Sequence, residues 1–261
     1  MTTCKQQFTT LLIRRRFQLT LWLSALFGLL AVSSCQPARP VALTVQLVWQ
    51  GQPITCQTAL DIHGQHFSLQ QLQFYLADFR QQQPLTLVPN HHRSADVALL
   101  GTDCQSPGVW ELQFQQPLHS GPLSFQLGVP FALNHQNPLQ ADLPLQQADM
   151  HWAWQSGYKF FRLDLQGQQD SWSFHLGSTG CHSASVVRPA TAPCQAPNRV
   201  LIELPYQGET RLTVDLAPLF ATVQPNRSNS CMSDPTSLSC QQLLPILLAA
   251  PDQQVIWRLQ P

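Results

Sequence analysis

The sequence predicts an all-β fold: a single antiparallel sandwich or barrel-like domain with disulfide-rich loops and a short C-terminal helix. Three observations carry this expectation. Apolar residues alternate with polar ones over Val41–Trp49, where Val41, Leu43, Val45, Leu47 and Trp49 share one face and Thr44 and Gln46 the other. That period of two is the mark of a half-buried strand. Short runs of similar character recur at close spacing between turn residues, which is the pattern of sandwiches and barrels. Six cysteines follow the N-terminal segment, and an even number in an exported chain reads as a disulfide framework.

In order, the further strand candidates are 72–79, 84–88, 96–100, 109–115, 122–128, 150–155, 158–165, 171–176, 199–204, 210–216 and 254–259. Turn residues punctuate them, among them Gly51-Gln52-Pro53, Pro89-Asn90, Pro107-Gly108, Gly121-Pro122, Gly157 and Gly208. A loop-rich stretch fills 181–198. The exception to the β pattern is the Leu-rich segment Ser237 to Ala250, read as a helix kinked at Pro245. No repeat of fixed period and no interdomain linker interrupts the chain.

Composition narrows the function classes. The 261 residues carry 14 Lys+Arg and 14 Asp+Glu; charged residues are 11% and hydrophobic residues 44%. A chain this apolar and this sparsely charged is not disordered. A neutral chain without a basic cluster is also a poor nucleic-acid binder.

The first 34 residues read as a targeting segment. Lys5, Arg14, Arg15 and Arg16 precede an apolar run from Phe17 to Val32, the n-region and h-region of an export signal. The run is shorter than the ~20 residues a spanning helix needs. It ends Val32-Ser33-Ser34-Cys35, which resembles a bacterial lipobox, so Cys35 is the expected lipidation site. Gln36 after the cysteine suggests sorting to the periplasmic side of the outer membrane. The domain then covers 35–261, with 10 basic against 14 acidic residues, a net of −4, and Lys159 as its only lysine.

Cys56, Cys104, Cys181, Cys194, Cys231 and Cys240 remain. Short loops favour Cys181–Cys194 and Cys231–Cys240, leaving Cys56 with Cys104; other pairings stay open. A metal–thiolate site is the rival reading, weakened by the lack of any C-x-x-C pair.

Three stretches draw attention. Leu127-Gly128-Val129-Pro130-Phe131-Ala132-Leu133-Asn134-His135-Gln136-Asn137-Pro138 places His135 in a turn-rich setting. Met150-His151-Trp152-Ala153-Trp154-Gln155-Ser156-Gly157-Tyr158-Lys159-Phe160, read as a strand, puts Met150, Trp152 and Trp154 on one face. Such a face is usually core; the alternative is a soft-metal or electron-transfer surface. Phe174-His175-Leu176-Gly177-Ser178-Thr179-Gly180-Cys181 puts His175 opposite the apolar face of Trp172, Phe174 and Leu176. An imidazole there is a surface residue or a ligand for copper or zinc. The chain has no H-E-x-x-H, no C-x-x-C-H, no nucleophile elbow and no phosphate loop.

Taken in order, these blocks resemble the methanobactin-associated copper-binding protein family, MbnP. The matching pieces are L-G-V-P-F followed by N-H-x-x-P, M-x-W-x-W-x-x-G-Y-K-F, F-H-L-G-S-T-G-C and C-x-x-P-N-R, with F-Y-L-A-D-F at 74–79 similar to an earlier family stretch. The resemblance implies an exported, often lipid-anchored copper-binding protein that is not itself an enzyme. It implies a partner, a MauG-like di-haem cytochrome c peroxidase that oxidises a Trp to kynurenine. It implies that Trp152 or Trp154 is the modified residue, that His135 and His175 are metal ligands, and that Met150 is a weaker one. Asp78, Tyr75, Tyr158 and Lys159 also match. Two other readings stand beside this one: a structural or adhesion-type β-domain on the outer membrane without metal, and a periplasmic copper oxidoreductase.

Overall fold

The computed structural model describes residues 41–153 and 155–261. Residues 1–34, the lipobox Cys35 and Trp154 lie outside the described residues.

The strands in chain order are β1 (Val41–Trp49), β2 (Gln52–Pro53), β3 (Leu60–Ile62), β4 (Gln65–Arg80), β5 (Val97–Thr102), β6 (Glu111–Phe114) and β7 (Gly121–Leu127). A one-turn helix α1 (Phe131–Asn134) leads into β8 (Lys159–Gly167), β9 (Ser171–Gly177), β10 (Val200–Tyr206) and β11 (Arg211–Asp215). Helix α2 (Leu238–Leu247) and strand β12 (Trp257–Gln260) end the chain. The expected all-β class with a short C-terminal helix is what the structure has, and Pro245 lies inside α2.

Two sheets face one another. One runs β12-β11-β1-β2, with β6 also on β1; β1 and β11 are parallel and the other pairs antiparallel. The other runs β10-β7-β4-β8-β9, with β3 and β5 also on β4. The long β4 is the spine of this second sheet, and bulges at Leu69/Gln71 and Ala77/Arg80 bend it. Asp78 sits at the second bulge with φ +54°.

The alternation read in the sequence survives in the fold. Leu43, Val45 and Leu47 of β1 are buried, as are Val200, Ile202, Leu204 and Tyr206 of β10. Aromatic side chains fill the space between the sheets. Trp257 reaches across from β12 to Phe74 and Phe125, with ring centroids 5.5 and 5.8 Å apart. Edge-on contacts at such distances add to the area the rings bury.

Three disulfides brace the loops: Cys56–Cys104, Cys181–Cys194 and Cys231–Cys240. The last two are the pairings that short loops favour, and the first is the one they leave.

Two expected strands have another form. Residues 84–88 make only isolated bridges, Pro84 to Arg80 and Leu87 to Phe114. The 150–155 segment is a turn. A 3-10 turn covers Ala148–Met150, His151 bridges Tyr158, and the Gly157 N–H donates to the Ala153 carbonyl at 2.7 Å. The tight return needs Gly157, whose φ is +79°. Face sharing by period two therefore stops before Trp152.

Candidate metal and modification site

The sequence motifs converge on one end of the second sheet. Asp78 from the F-Y-L-A-D-F stretch pairs with Arg199 from the P-N-R stretch. Tyr75 donates to the Pro144 carbonyl at 2.9 Å, and Tyr158 to the Leu145 carbonyl at 2.6 Å. Their rings meet edge-on at 5.7 Å. Burial pushes the Tyr75 phenol well up and the Tyr158 phenol up to about 12, so both stay protonated donors that pin the 143–150 loop. These matching residues are structural anchors.

Asn134 locks the tryptophan turn. It is 1% exposed, and its Oδ1 accepts from the Tyr158 N–H at 2.8 Å. A Cβ on Gly157 would fall 2.3 Å from that oxygen. The Asn-His of the first motif and the Gly-Tyr of the second are thus fitted to one another.

His135 caps α1 and is buried. Its ring lies 4.8 Å from the Phe131 ring, and Nε2 lies 3.2 Å from Asn134 Nδ2 and 3.6 Å from Cys194 Sγ. Atoms of His135, Cys181 and Cys194 fall within 4.8 Å of one another. The two sulfurs are bonded together, which leaves the imidazole as the strong donor of that group.

His151, which the strand reading set apart from the tryptophans, belongs to the same region. Its ring stands edge-on to Tyr158 at 4.9 Å, and its buried Nε2 has no hydrogen-bond partner among the described residues. Burial, then the charge of Lys159, then His135, lower its pKa, so the ring is neutral near pH 7. A neutral imidazole with a free lone pair is chemically able to bind a metal.

His175 occupies the outer face of β9. Its Nε2 donates to Asp164 Oδ1 at 2.8 Å, and Arg162 Nε donates to Asp164 Oδ2 at 2.7 Å. Burial would raise the Asp164 pKa; the hydrogen bonds from His175, Ser173 and Arg162 outweigh it and hold the carboxyl well below its usual range. Arg162 continues to Asp149, 3.2 Å away. An ionised carboxylate only accepts, so His175 Nε2 carries a proton, and in the neutral tautomer that this fixes the lone pair is on Nδ1. A carboxylate behind an imidazole in this way orients it for a metal and raises its basicity.

Trp152 lies over Gly177 at the end of the same strand. A Cβ on Gly177 would come 2.5 Å from Trp152 Cζ3. The indole lines an open cleft of about 390 Å³ with Gln155, Ser156, Ser178, Cys181 and Met232. The cleft is braced from behind: Gln155 Nε2 donates to the Cys181 carbonyl, and Asn198 Nδ2 to the Gly177 carbonyl, both at 2.8 Å. Met150 is elsewhere, fully buried among core side chains. Met232 is the accessible thioether, 44% exposed.

The fold and these residues define a class: a disulfide-braced two-sheet β protein that gathers histidines and a tryptophan at one end. The family model of MbnP matches residues 38–233, and the chain belongs to the MbnP family, the methanobactin-associated proteins. A solved structure, MbnP from Methylosinus trichosporium, superposes with a TM-score of 0.69 at 24% identity, covering 82% of this chain and 92% of that one. That likeness is one of fold. No curated protein matches the chain.

Proposed function

We propose that this chain is an exported, lipid-anchored copper-binding protein and the substrate, not the catalyst, of a MauG-like di-haem cytochrome c peroxidase. The observation that carries the reading is the neighbourhood of Trp152. A half-buried indole that lines an open cleft stands in the turn that also holds neutral His151, whose Nε2 has no partner among the described residues, with His135 close enough to perturb it.

An oxidising partner needs an accessible aromatic, and Trp152 offers one at the surface. In the step proposed, the indole C2–C3 bond is cleaved and a C=O forms on each of the two carbons, giving N-formylkynurenine; this four-electron oxidation consumes two peroxides, which act through the haem partner, and leaves two waters as the net by-product. Hydrolysis then releases the C2 carbon as formate. The kynurenine left behind presents an aryl amine and a ketone beside the imidazoles. Trp154 is the second candidate for the same change.

Copper suits this donor set. Imidazole is a good ligand for it, and the six cysteines among the described residues are all in disulfides and offer no thiolate. His135, His151 and His175 are the residues that would hold it. Lipidation at Cys35 would keep the domain at the membrane, on the periplasmic side of the outer membrane.

The test is peptide mass spectrometry of protein from its native host, with and without the peroxidase, followed by copper titration. Kynurenine at Trp152 or Trp154 only when the peroxidase is expressed, together with copper binding, supports the reading. Intact tryptophans in its presence refute it and leave a structural outer-membrane lipoprotein.

A further inference from the structure

One edge of β1 is left uncovered over a short stretch. The even-numbered residues bond to the β11 side: the Thr44 N–H donates to the Thr210 carbonyl at 2.9 Å, and the Val48 carbonyl accepts from the Leu216 N–H at 3.1 Å. The odd-numbered residues face the opposite edge, where β6 covers 41–44 and β2 covers 48–49. Just past β6, the Val45 N–H donates to the Trp110 carbonyl at 2.8 Å; beside β2, the Leu47 carbonyl accepts from the Ile54 N–H at 3.1 Å. Between these two bonds lie the Val45 C=O and the Leu47 N–H, which have no backbone partner among the described residues. Val45 and Leu47 are buried, at 2% and 5% exposure. Buried backbone groups are almost always paired, so an acceptor and a donor left side by side call for a partner.

Both residues line a cavity of about 450 Å³ that opens through this gap and reaches Leu69 of the opposite sheet. Small-ligand sites run from about 300 to 1,000 Å³. Its walls are fixed. The Cys56–Cys104 disulfide bounds one side. Trp110 closes another, lying so close over Gly108 that a Cβ there would fall 2.2 Å from the indole Nε1. Val45, Leu47, Ile54 and Leu69 make an apolar floor, and Thr44, Gln46, Gln57 and Ser106 a polar rim. Among the described residues, no ionised side chain lines the cavity. A charged ligand would lose its hydration there without gaining a counter-charge.

We propose that this cavity binds a small neutral ligand through an amide edge, a primary carboxamide or a lactam, carried on an apolar ring. Such an edge presents an N–H donor and a C=O acceptor side by side. The N–H meets the Val45 carbonyl, the C=O accepts from the Leu47 N–H, and the ring packs between the apolar floor and Trp110. The cavity shares no lining residue with the Trp152 cleft, so its ligand is independent of the copper reading.

The experiment uses the full mature chain, labelled with nitrogen-15 and carrying Cys35→Ser to keep it in solution. Three probes share one ring: nicotinamide has the donor and the acceptor, methyl nicotinate the acceptor only, and nicotinate is charged. Each is titrated while the amide signal of Leu47 and the indole signal of Trp110 are followed by NMR. Nicotinamide is expected to move the Leu47 proton downfield and to bind roughly 10-fold more tightly than the ester, the scale of one buried hydrogen bond. Nicotinate leaves both signals in place. Gln57→Trp, at an exposed rim position, crowds the mouth and lowers nicotinamide affinity without shifting thermal unfolding. A Leu47 signal that stays still up to the solubility limit of nicotinamide shows that water alone fills the cavity and overturns the proposal. Equal affinity for the amide and the ester overturns recognition through an amide edge, and unchanged affinity in Gln57→Trp overturns the location.

Discussion

Gly177→Ala tests how Trp152 is held. A methyl group at this position falls 2.5 Å from Trp152 Cζ3, 3.1 Å from Cη2 and 2.7 Å from the Tyr158 carbonyl oxygen. Carbon atoms pack at about 3.5–4.0 Å, so the ring must retreat by about 1 Å or β8 and β9 must part. Overpacking of this kind costs about 1–3 kcal/mol. The assay is urea unfolding, with the midpoint read at constant slope. Repeating it in a Trp152→Leu background closes a double-mutant cycle. Removal of the ring leaves only the Tyr158 oxygen in the way, so the cost of Gly177→Ala should shrink, with a coupling of about 0.5–3 kcal/mol. The same variant should lower the fraction of Trp152 modified on co-expression with the peroxidase, because the indole no longer sits where it is presented. A cost that is the same in both backgrounds would refute the seating of Trp152 over Gly177.

Three further predictions follow from neighbouring groups. His151→Phe removes a buried nitrogen that has no partner while keeping a ring against Tyr158; unfolding stability should stay within about 1 kcal/mol of the wild type or rise, while copper affinity drops. The Asp164 carboxyl is depressed in the folded state, so its stabilising contribution is present above its unfolded pKa of about 3.9 and is lost as pH falls below that value; acid titration of unfolding stability should show a steep loss there that Asp164→Asn flattens, with Asp164→Asn the less stable protein at pH 7. Replacing Cys231 and Cys240 together by Ala should cost about 2–4 kcal/mol by calorimetry; unchanged stability would show that α2 alone holds Cys231 at the edge of β9.

Local patterns were legible in the sequence because they arise from local physics. Period-two burial on β1 and β10 follows from the pleat, and the fold class follows from many such runs between turn residues. Short loops pointed to Cys181–Cys194 and Cys231–Cys240, since close cysteines meet at small entropic cost, and Cys56–Cys104 was the pair left over. The motif blocks that resembled a family turned out to touch one another: Asp78 meets Arg199, and Asn134 meets Gly157.

Only the tertiary structure decided the membership of the site. His151 stood in plain view between Met150 and Trp152, yet the strand reading turned it away from them; one glycine at positive φ converts that strand into a turn, and alternation loses its meaning there. Met150 was the sulfur nearest the tryptophans in sequence, but the 3-10 turn that ends with it carries its side chain into the core. Met232 comes to the cleft from 57 residues beyond His175, through a single parallel bridge at a sheet edge. No periodicity encodes that contact, because pairing between distant strands is set by how the whole sheet closes and which edge is left for the returning chain. The sequence by itself determined the kind of fold and the chemistry available to it; the closing of the sheet determined which of those side chains meet.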